Sequence, residues 1–501
     1  MMRCLFWASA CWFFTAAISL GKLSVAKIFS DHGVLQRGQE IPVWGQAESG
    51  SQVIVQFSGS KKRATANREG RWQVVFSALE ANADGQSLIV EGEGQKIEVQ
   101  DLVVGEVWYA SGQSNMEMTL GSCTEKNEQI SERASEPANR FIRMVKLRNP
   151  DAPDVLEDLP REVSWRRDSP KNRQSFSALS YFFAKKLSET LRVPVGVIEG
   201  SWGGKPIEGF IAREEFDTPQ LKSILELADQ NQLEALKELE GGVIVRNSAG
   251  LPGRIYHSRV APIAPYALKG FLWYQGESNA GAGEDPRNYR FKTAALVRGW
   301  RRLWANQELP FYYVQLPSYH DRVTGWIRLR EEQRLALSIP QTGMAVSIDL
   351  LDQDIHPSNK FDVADRLARW ALAKNYGVEV SVSGPLFESV QREGTKMRVK
   401  FRHTGKGLIQ AQKKGISPPV EIQSVDLEGF KVADQKGNWH EAQAQISGHE
   451  VLVSSRLVQV PVAVKYGCEG EAQNARLYNR SGLPASPFCS ELSLLPWERQ
   501  E

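Results

Sequence analysis

Five near-continuous apolar runs in the middle of the chain are the strongest constraint on its fold. They cover residues 103–110, 194–198, 270–274, 310–315 and 343–348. Strands that face water on one side alternate apolar and polar residues, whereas unbroken apolar runs are typical of strands buried on both faces. Segments of helical periodicity separate the runs. This strand–helix alternation predicts a parallel sheet with helices on both faces, in one flavodoxin-like α/β domain with long loops.

Three helices are predicted between the apolar runs. In the first, apolar residues recur every four positions from Leu179 to Leu191, after Ser175 or Ser177 as the N-cap. The second starts at Thr218 and Pro219, because proline suits the first turn of a helix. The third covers residues 361–372 and ends near a glycine at position 377.

The two flanking regions have a different pattern. Residues 22–104 contain short runs at 41–45, 52–57, 71–76 and 87–90, separated by glycine and polar turns, which predicts a small β-sandwich. Residues 381–501 repeat this pattern at 397–401, 429–432, 451–454 and 462–466, which predicts a second β-sandwich-like domain. The predicted organisation is therefore an N-terminal β domain (22–104), a catalytic α/β domain (105–380) and a C-terminal β domain (381–501).

The first 21 residues have the pattern of an export signal. A short basic start at Arg3 is followed by an apolar run over residues 4–20, with small residues near Gly21. The alternative is an uncleaved membrane anchor, but the run is at the lower length limit for spanning a bilayer. We therefore expect residues 1–21 to be removed and the mature protein to be secreted or periplasmic, with no membrane association.

Charge, motifs and cysteines limit the partners of the chain. Lys plus Arg is 61 and Asp plus Glu is 59, whereas a nucleic-acid binder shows a clustered basic excess. The chain has no HExxH, no CxxC and no glycine-rich phosphate motif after the first strand, so we predict neither a metal nor an organic cofactor. Outside the signal, Cys468 and Cys489 are candidates for a disulfide or for buried free thiols, and Cys123 is left over.

Small, polar and titratable residues follow four of the five apolar runs. These segments are 111–116, 200–204, 275–279 and 349–357. In open parallel sheets, ligands bind beyond the carboxyl ends of the strands. We therefore expect these four segments to meet at one edge of the sheet and to form the functional site there.

Ser114 and His356 are the candidate nucleophile and base of this site. A serine needs a base to act as a nucleophile, and the base needs a group that orients it. His356 follows a buried strand and lies two residues after Asp354, with Asp352 as the alternative partner. Ser114 is not in a GxSxG sequence, which excludes the usual nucleophile elbow of α/β-hydrolases.

Ester cleavage also requires hydrogen-bond donors for an oxyanion. Backbone N–H groups of Ser114 and within the pair Gly203-Gly204 are suitable, since glycine allows close approach. A side-chain amide from Gln275 or Asn279 is the candidate third donor. The alternative for the glycine pair is a tight turn with no catalytic part.

Four motifs appear in an order that resembles the sialate O-acetylesterase family, within the SGNH-hydrolase superfamily. They are Gly-Gln-Ser-Asn-Met at 112–116, Ser-Trp-Gly-Gly at 201–204, Trp-Tyr-Gln-Gly-Glu-Ser-Asn at 273–279 and Asp-Ile-His-Pro at 354–357. Residues 29–37 and 483–488 are similar to the opening and the close of the family's sequences. The resemblance thus covers nearly the whole chain after the signal.

The resemblance implies a serine hydrolase that removes acetyl groups from sugars, typically from sialic acid, without a cofactor. It implies Ser114 as the nucleophile, His356 as the base and Asp354 as the acid. It also implies Gly204 and Gln275 as oxyanion positions. An O-acetylated carbohydrate is then the expected partner.

Two departures from the family pattern concern the substrate. Lys205 stands where threonine is usual, and residues 256–258 are Tyr-His-Ser instead of Tyr-Asn-Gly. We expect both to line the cleft, which leaves open an acetylated sugar other than sialic acid, as in an acetylxylan or other hemicellulose acetylesterase.

Two other functional classes compete with the esterase. One is a catalytically silent sugar-binding relative, which would have no chemical need to keep both Ser114 and His356. The other is a glycoside hydrolase that uses Glu277 in a pair of carboxylates, although no second carboxylate stands out.

Overall fold

The computed structural model describes residues 22–229, 248–280, 285–319, 324–350, 354–423, 427–470, 472 and 474–495. The predicted export signal, residues 1–21, lies outside the described residues. Within them, no helix is long and apolar enough to cross a bilayer.

Among the described residues, eight strands precede the first helix, and they belong to two sheets. The strands are β1 (Ser24–Val25), β2 (Val34–Gln36), β3 (Ile41–Gln46), β4 (Gln52–Phe57), β5 (Ser60–Thr65), β6 (Arg71–Phe76), β7 (Asn82–Gly92) and β8 (Gln95–Gly112). One sheet has the order β1-β3-β6, and in the other β4 lies between β5 and β7, with β7 paired to β8. Strand β6 buries every second side chain, as the sequence pattern predicts for a half-exposed strand. All four strands predicted here are observed.

The middle of the chain alternates strands and helices. Its elements are α1 (Ser114–Glu117), α2 (Leu120–Lys126), α3 (Glu128–Ala134), β9 (Ile142–Lys146), β10 (Arg166–Arg167), α4 (Pro170–Arg173), α5 (Ala178–Leu191), β11 (Val195–Glu199), α6 (Lys222–Asp229), β12 (Gly270–Tyr274), α7 (Tyr289–Leu303), β13 (Phe311–Val314), α8 (Thr324–Leu335), β14 (Thr342–Ala345) and α9 (Lys360–Tyr376). The strand order is β10-β9-β11-β8-β12-β13-β14, and all neighbours except β10 and β9 are parallel. The predicted α/β class is therefore confirmed.

The five predicted apolar runs are β8, β11, β12, β13 and β14. Their order in the sheet is second, first, third, fourth, fifth, which is one of the two common doubly wound orders. Neighbouring residues of β8 show that helices cover both faces: Trp108 packs against Phe183 of α5 at 5.2 Å, and Tyr109 packs against Trp300 of α7 at 5.3 Å.

The sixth parallel strand, β9, was not predicted because charged residues interrupt its apolar pattern. Arg143 in its middle is buried, and its guanidinium bonds to the Asp101 carboxylate at 3.2 Å. A partner from another strand therefore compensates a charge that, in the sequence alone, argues against a buried strand.

Two of the three predicted helices begin at the predicted place. The Ser177 hydroxyl accepts a hydrogen bond from the Ser180 N–H and caps α5. Helix α9 begins after an Asn359 cap and ends at Gly377, which has a left-handed φ of 66°. Helix α6 begins at Lys222 instead of Thr218, and Thr218 instead opens a turn in which its carbonyl oxygen accepts the Lys222 N–H at 2.9 Å.

The last part of the chain consists of antiparallel strands. They are β15 (Leu386–Glu393), β16 (Lys396–Arg402), β17 (Leu408–Gln412), β18 (Val420–Glu421), β19 (Phe430–Ala433), β20 (Trp439–Glu441), β21 (Gln443–Ser447), β22 (Glu450–Ser454), β23 (Ala463–Tyr466), β24 (Leu477–Asn479) and β25 (Phe488–Cys489). They form sheets β15-β16-β22-β21, β18-β17-β24 and β20-β19-β23-β25. Cys468 and Cys489 lie in one buried cluster here but form no disulfide with each other, so the disulfide alternative does not hold in this structure.

The predicted boundary at 104/105 falls inside a single strand, because β8 runs from Gln95 to Gly112. Its first half pairs with β7 and β2, and its second half pairs with β11 and β12. Buried apolar residues from all three regions also form one contiguous core. The division into three domains stays a prediction.

Candidate active site

Ser114 lies where β8 ends between its two parallel neighbours. A Cβ at Gly112 would lie 2.1 Å from the Tyr274 carbonyl oxygen of β12, and Gly112 has a φ of 138°, so only glycine fits there. The Gln113 N–H donates to the same carbonyl at 3.0 Å. This turn presents Ser114 as the first residue of α1, at the carboxyl end of the sheet.

The structure brings Ser114, His356 and Asp354 together in one chain of contacts. The distance from His356 Nε2 to Ser114 Oγ is 2.8 Å, across 242 residues of sequence. On the other side of the ring, His356 Nδ1 is 3.1 Å from Asp354 Oδ1, which also accepts the His356 backbone N–H. This is the arrangement that a nucleophile, a base and an orienting acid require. Asp352 lies outside the described residues.

Lys126 of α2 is a further member of this group, and the sequence did not indicate it. Its ammonium lies 2.8 Å from Asp354 Oδ2. The hydrogen bond from Lys126 is the largest influence on the pKa of Asp354; together with the contacts to His356 it outweighs the opposing effect of burial and lowers this pKa to about 2. Asp354 is therefore ionised at neutral pH, and its negative charge is shared between two partners, Lys126 and His356.

The glycine pair lies against Ser114, but one of its donors is already used. A Cβ on Gly203 would be 3.6 Å from the Ser114 Cβ, and the Gly203 N–H donates to Glu117 Oε2 at 2.7 Å. Burial opposes ionisation of Glu117, but the Lys146 cation at 3.0 Å and the Gly203 N–H outweigh it and lower the pKa. Gly204 is exposed and has a left-handed φ of 67°. Of the pair, Gly204 is thus the better candidate for an oxyanion donor.

Gln275 and Asn279 are buried beside this loop. The Gln275 amide nitrogen donates to Asn279 Oδ1 at 2.7 Å and to Gln113 Oε1 at 3.0 Å. The Asn279 amide nitrogen donates to the Glu208 carboxylate at 3.1 Å. In the part of the chain that the structure describes, neither amide forms a hydrogen bond to Ser114. Their geometry suits support of the loop, and their role as oxyanion donors stays a prediction.

Ser114 and His356 open onto a cavity of about 560 Å³. Its other lining residues are mostly polar: Glu117, Met118, Thr119, Ser122, Glu125, Lys126, Lys146 and Arg148. This cavity is not lined by Lys205 or by residues 256–258, contrary to expectation. Both are buried against other parts of the protein. Lys205 Nζ lies 5.6 Å from the Trp202 ring centroid, and His257 Nδ1 is 3.1 Å from the Ala152 carbonyl oxygen. A second cavity, of about 460 Å³, adjoins the first and shares Lys146 and Arg148 with it.

Comparisons with known proteins identify relatives of this chain. Residues 247–372 match the family model for carbohydrate esterases described as sialic acid-specific acetylesterases. The sialate O-acetylesterase of Mus musculus is 26% identical over 90% of this chain and 91% of its own, and that of Homo sapiens is 28% identical over 89% and 88%. The crystal structure of a carbohydrate acetylesterase from Xanthomonas citri is 32% identical, with a TM-score of 0.81, and covers 93% of this chain and 99% of that one.

The chain belongs to the sialate O-acetylesterase family. The resemblance seen in the motifs is therefore confirmed, and so is the predicted class of enzyme, a carboxylic ester hydrolase that acts on carbohydrate. The named relatives are esterases, which argues against the glycoside hydrolase alternative.

The position of Glu277 gives a second argument against that alternative. In this family member Glu277 is only 8% exposed, and its carboxylate accepts a hydrogen bond from the Asn115 amide instead of lining the cavity. Burial raises the pKa of Glu277 above its ordinary value. A glycosidase needs two carboxylates that flank the scissile bond, and Glu277 is not placed for that. Among the described residues, no group of three or more His, Cys, Asp or Glu could hold a metal ion.

Proposed function

We propose that this enzyme removes acetyl groups from the hydroxyls of a carbohydrate through an acyl-enzyme on Ser114, in a flavodoxin-like SGNH-hydrolase domain. The observation that carries the proposal is the contact chain from Ser114 Oγ to His356 Nε2, at 2.8 Å, and from His356 Nδ1 to Asp354 Oδ1, at 3.1 Å. Family membership supports the same reaction.

In the first step, Ser114 Oγ bonds to the acetyl carbonyl carbon while its proton moves to His356 Nε2. The electron pair of the C=O double bond moves to the oxygen, which becomes an oxyanion. The ring is then an imidazolium, and the Asp354 carboxylate at Nδ1 stabilises its charge and fixes its orientation.

The oxyanion needs donors that are already in place. The Ser114 N–H is suitable, because the first N–H of a helix has no partner within that helix. We assign the second donor to Gly204, since the Gly203 N–H is bound by Glu117. Gln275 and Asn279 act by holding the loops around these donors.

Collapse of the tetrahedral intermediate breaks the bond from the carbonyl carbon to the sugar oxygen. The imidazolium gives its proton to that oxygen, which leaves as a hydroxyl group. A water molecule then attacks the acetyl-Ser114 ester, with His356 as the base, and acetate leaves as Ser114 regains its proton.

The cavities favour one refinement of the substrate. The second cavity of about 460 Å³ adjoins the cleft, so a neighbouring sugar unit of a chain has room beside the acetylated unit. This supports a hemicellulose acetylesterase as the second candidate next to a sialate O-acetylesterase. Export through residues 1–21 is part of the same proposal, because such glycans lie outside the cytoplasm.

The test is acetate release by Ser114→Ala from acetylated sialosides and acetylated xylan. Removal of a serine nucleophile typically lowers kcat by about 10⁴-fold or more. Ser87→Ala is the control, because the Ser87 hydroxyl in β7 donates to Glu98, and its turnover should equal that of the unchanged enzyme. Turnover by folded Ser114→Ala at the unchanged rate would refute the mechanism.

A further inference from the structure

A buried lysine contacts the loop that carries the histidine of the site. Lys360 is the first residue of α9 and has no exposed surface. Its ammonium donates to the Pro357 carbonyl oxygen at 2.5 Å and to Asn115 Oδ1 at 2.6 Å. It also lies 5.5 Å from the centroid of the Tyr274 ring. The mechanism above gives this cation no chemical step.

Asn115 connects the lysine to the other side of the histidine. Its side chain is fully buried next to Ser114, and its amide nitrogen donates to the Ile355 carbonyl oxygen at 3.0 Å. The same nitrogen donates to Glu277 Oε1 at 2.5 Å. The carbonyls on both sides of His356 are thus held, one by Lys360 and one by Asn115.

The charges of Lys360 and Glu277 determine which way the Asn115 amide points. A cation attracts the amide oxygen and a carboxylate attracts the amide nitrogen, so the amide has one favoured orientation between them. In that orientation the nitrogen reaches Ile355. Burying such charges costs stability unless they are bonded, and here both groups are bonded to Asn115.

We propose that Lys360 is a positioning residue which, together with Asn115, holds the His356 loop so that Nε2 stays within hydrogen-bond distance of Ser114 Oγ. This inference rests on the proposed role of His356 as the base. Lys360 touches neither substrate nor the reacting atoms. Its loss should therefore affect the chemical step and leave substrate binding nearly unchanged.

The experiment compares Lys360→Met with Arg173→Met in the full chain. Arg173 is also a fully buried cation, bonded to Asp168 at 2.7 Å, but it contacts none of residues 354–357. With p-nitrophenyl acetate, kcat of Lys360→Met should fall about 10- to 100-fold, as expected for a catalytic group misplaced by about 1 Å. KM should change less than about threefold, because only the chemical step is affected. The rate of Ser114 phosphonylation by an organophosphonate with a good leaving group should fall with kcat.

A merely structural role would give a different result. Arg173→Met should lower the melting temperature and leave both kcat per folded molecule and the phosphonylation rate unchanged. Unchanged phosphonylation in folded Lys360→Met would overturn the proposal. An equal loss in both variants would also overturn it.

A second variant keeps the test decisive if Lys360→Met does not fold. Asn115→Ala removes the contact to Ile355 but keeps the contact from Lys360 to Pro357, and it should show the same drop in kcat at nearly constant KM. Unchanged kcat in Asn115→Ala would refute the inference. Ser114→Ala, assayed in parallel, separates failure of the proposed function from failure of this inference. If Ser114→Ala remains active, the proposed function fails. If Ser114→Ala is inactive but the Lys360 and Asn115 variants have normal kcat, this inference fails alone.

Discussion

Replacing Asp354 by asparagine should lower kcat about 30-fold, which is far less than for a buried triad carboxylate. The change removes the negative charge next to His356 Nδ1 and keeps the size of the side chain. Loss of a buried triad aspartate costs about 10⁴-fold. The smaller effect expected here follows from the surroundings of Asp354.

The magnitude comes from the exposure and the second partner of the carboxylate. Unit charges 4 Å apart attract by about 4 kcal/mol near a protein surface and by about 1 kcal/mol in bulk water. The Asp354 and His356 side chains are 43% and 33% exposed, so their attraction lies between these limits. Lys126, at 2.8 Å, offsets part of it. About 2 kcal/mol then remains for the imidazolium, which corresponds to about 30-fold in rate.

The assay is p-nitrophenyl acetate hydrolysis at pH 8, with kcat and KM determined separately. Asp434→Asn is the matched control, because Asp434 Oδ2 lies 3.0 Å from His440 Nε2 in the C-terminal sheets, with no contact to Ser114. Its kcat should not change. A comparison with Asp352→Asn, for which we expect a smaller loss, decides between the two acidic neighbours of His356.

Two outcomes would refute this reasoning. A change below about threefold for Asp354→Asn would mean that the enzyme works as a Ser–His dyad or that Asp352 orients the ring. A loss of about 10⁴-fold would mean that neither solvent nor Lys126 screens the carboxylate, contrary to the exposure and the contact described above.

Two further predictions concern Lys126 and strand β8. In Lys126→Met, the negative charge of Asp354 no longer has Lys126 as a partner and stabilises the imidazolium alone, so the acid limb of log kcat/KM should move to higher pH. An exposed ion pair is worth up to about 1 kcal/mol, which limits this shift to about 0.7 pH unit, and a shift to lower pH would contradict the reasoning. The pKa of Asp354 itself should rise from about 2 toward its ordinary value. A shortened chain of residues 105–380 would contain only half of β8 and would expose apolar surface of the shared core. Size-exclusion chromatography should therefore show aggregation, and a soluble monomer would contradict the shared core.

The sequence by itself determined the elements whose residues carry a local signal. Strand β12 and helix α5 are visible in an unbroken apolar run and in a four-residue repeat, because burial on two faces or on one stripe leaves these patterns. The spacing of Asp354 and His356 is local as well. Even the meeting of Ser114 and His356, 242 residues apart, was predictable, because parallel strands bring their carboxyl ends to one edge.

Only the tertiary structure decided the contacts in which one side chain changes the charge or the hydrogen bonding of another. The charge of Arg143 interrupts the apolar run that would have predicted strand β9, and only the structure shows that Asp101 compensates this charge. The residues after the strand ends indicated Gly203, Gln275 and Asn279 as candidate donors, and only the structure shows that each also donates to an acceptor within the protein. Lys126 and Lys360 reach the site from separate helices. Such pairings depend on distances of a few ångströms between segments far apart in the chain, and no periodicity records them, because a side chain's charge and hydrogen bonds are decided by whatever the fold places next to it.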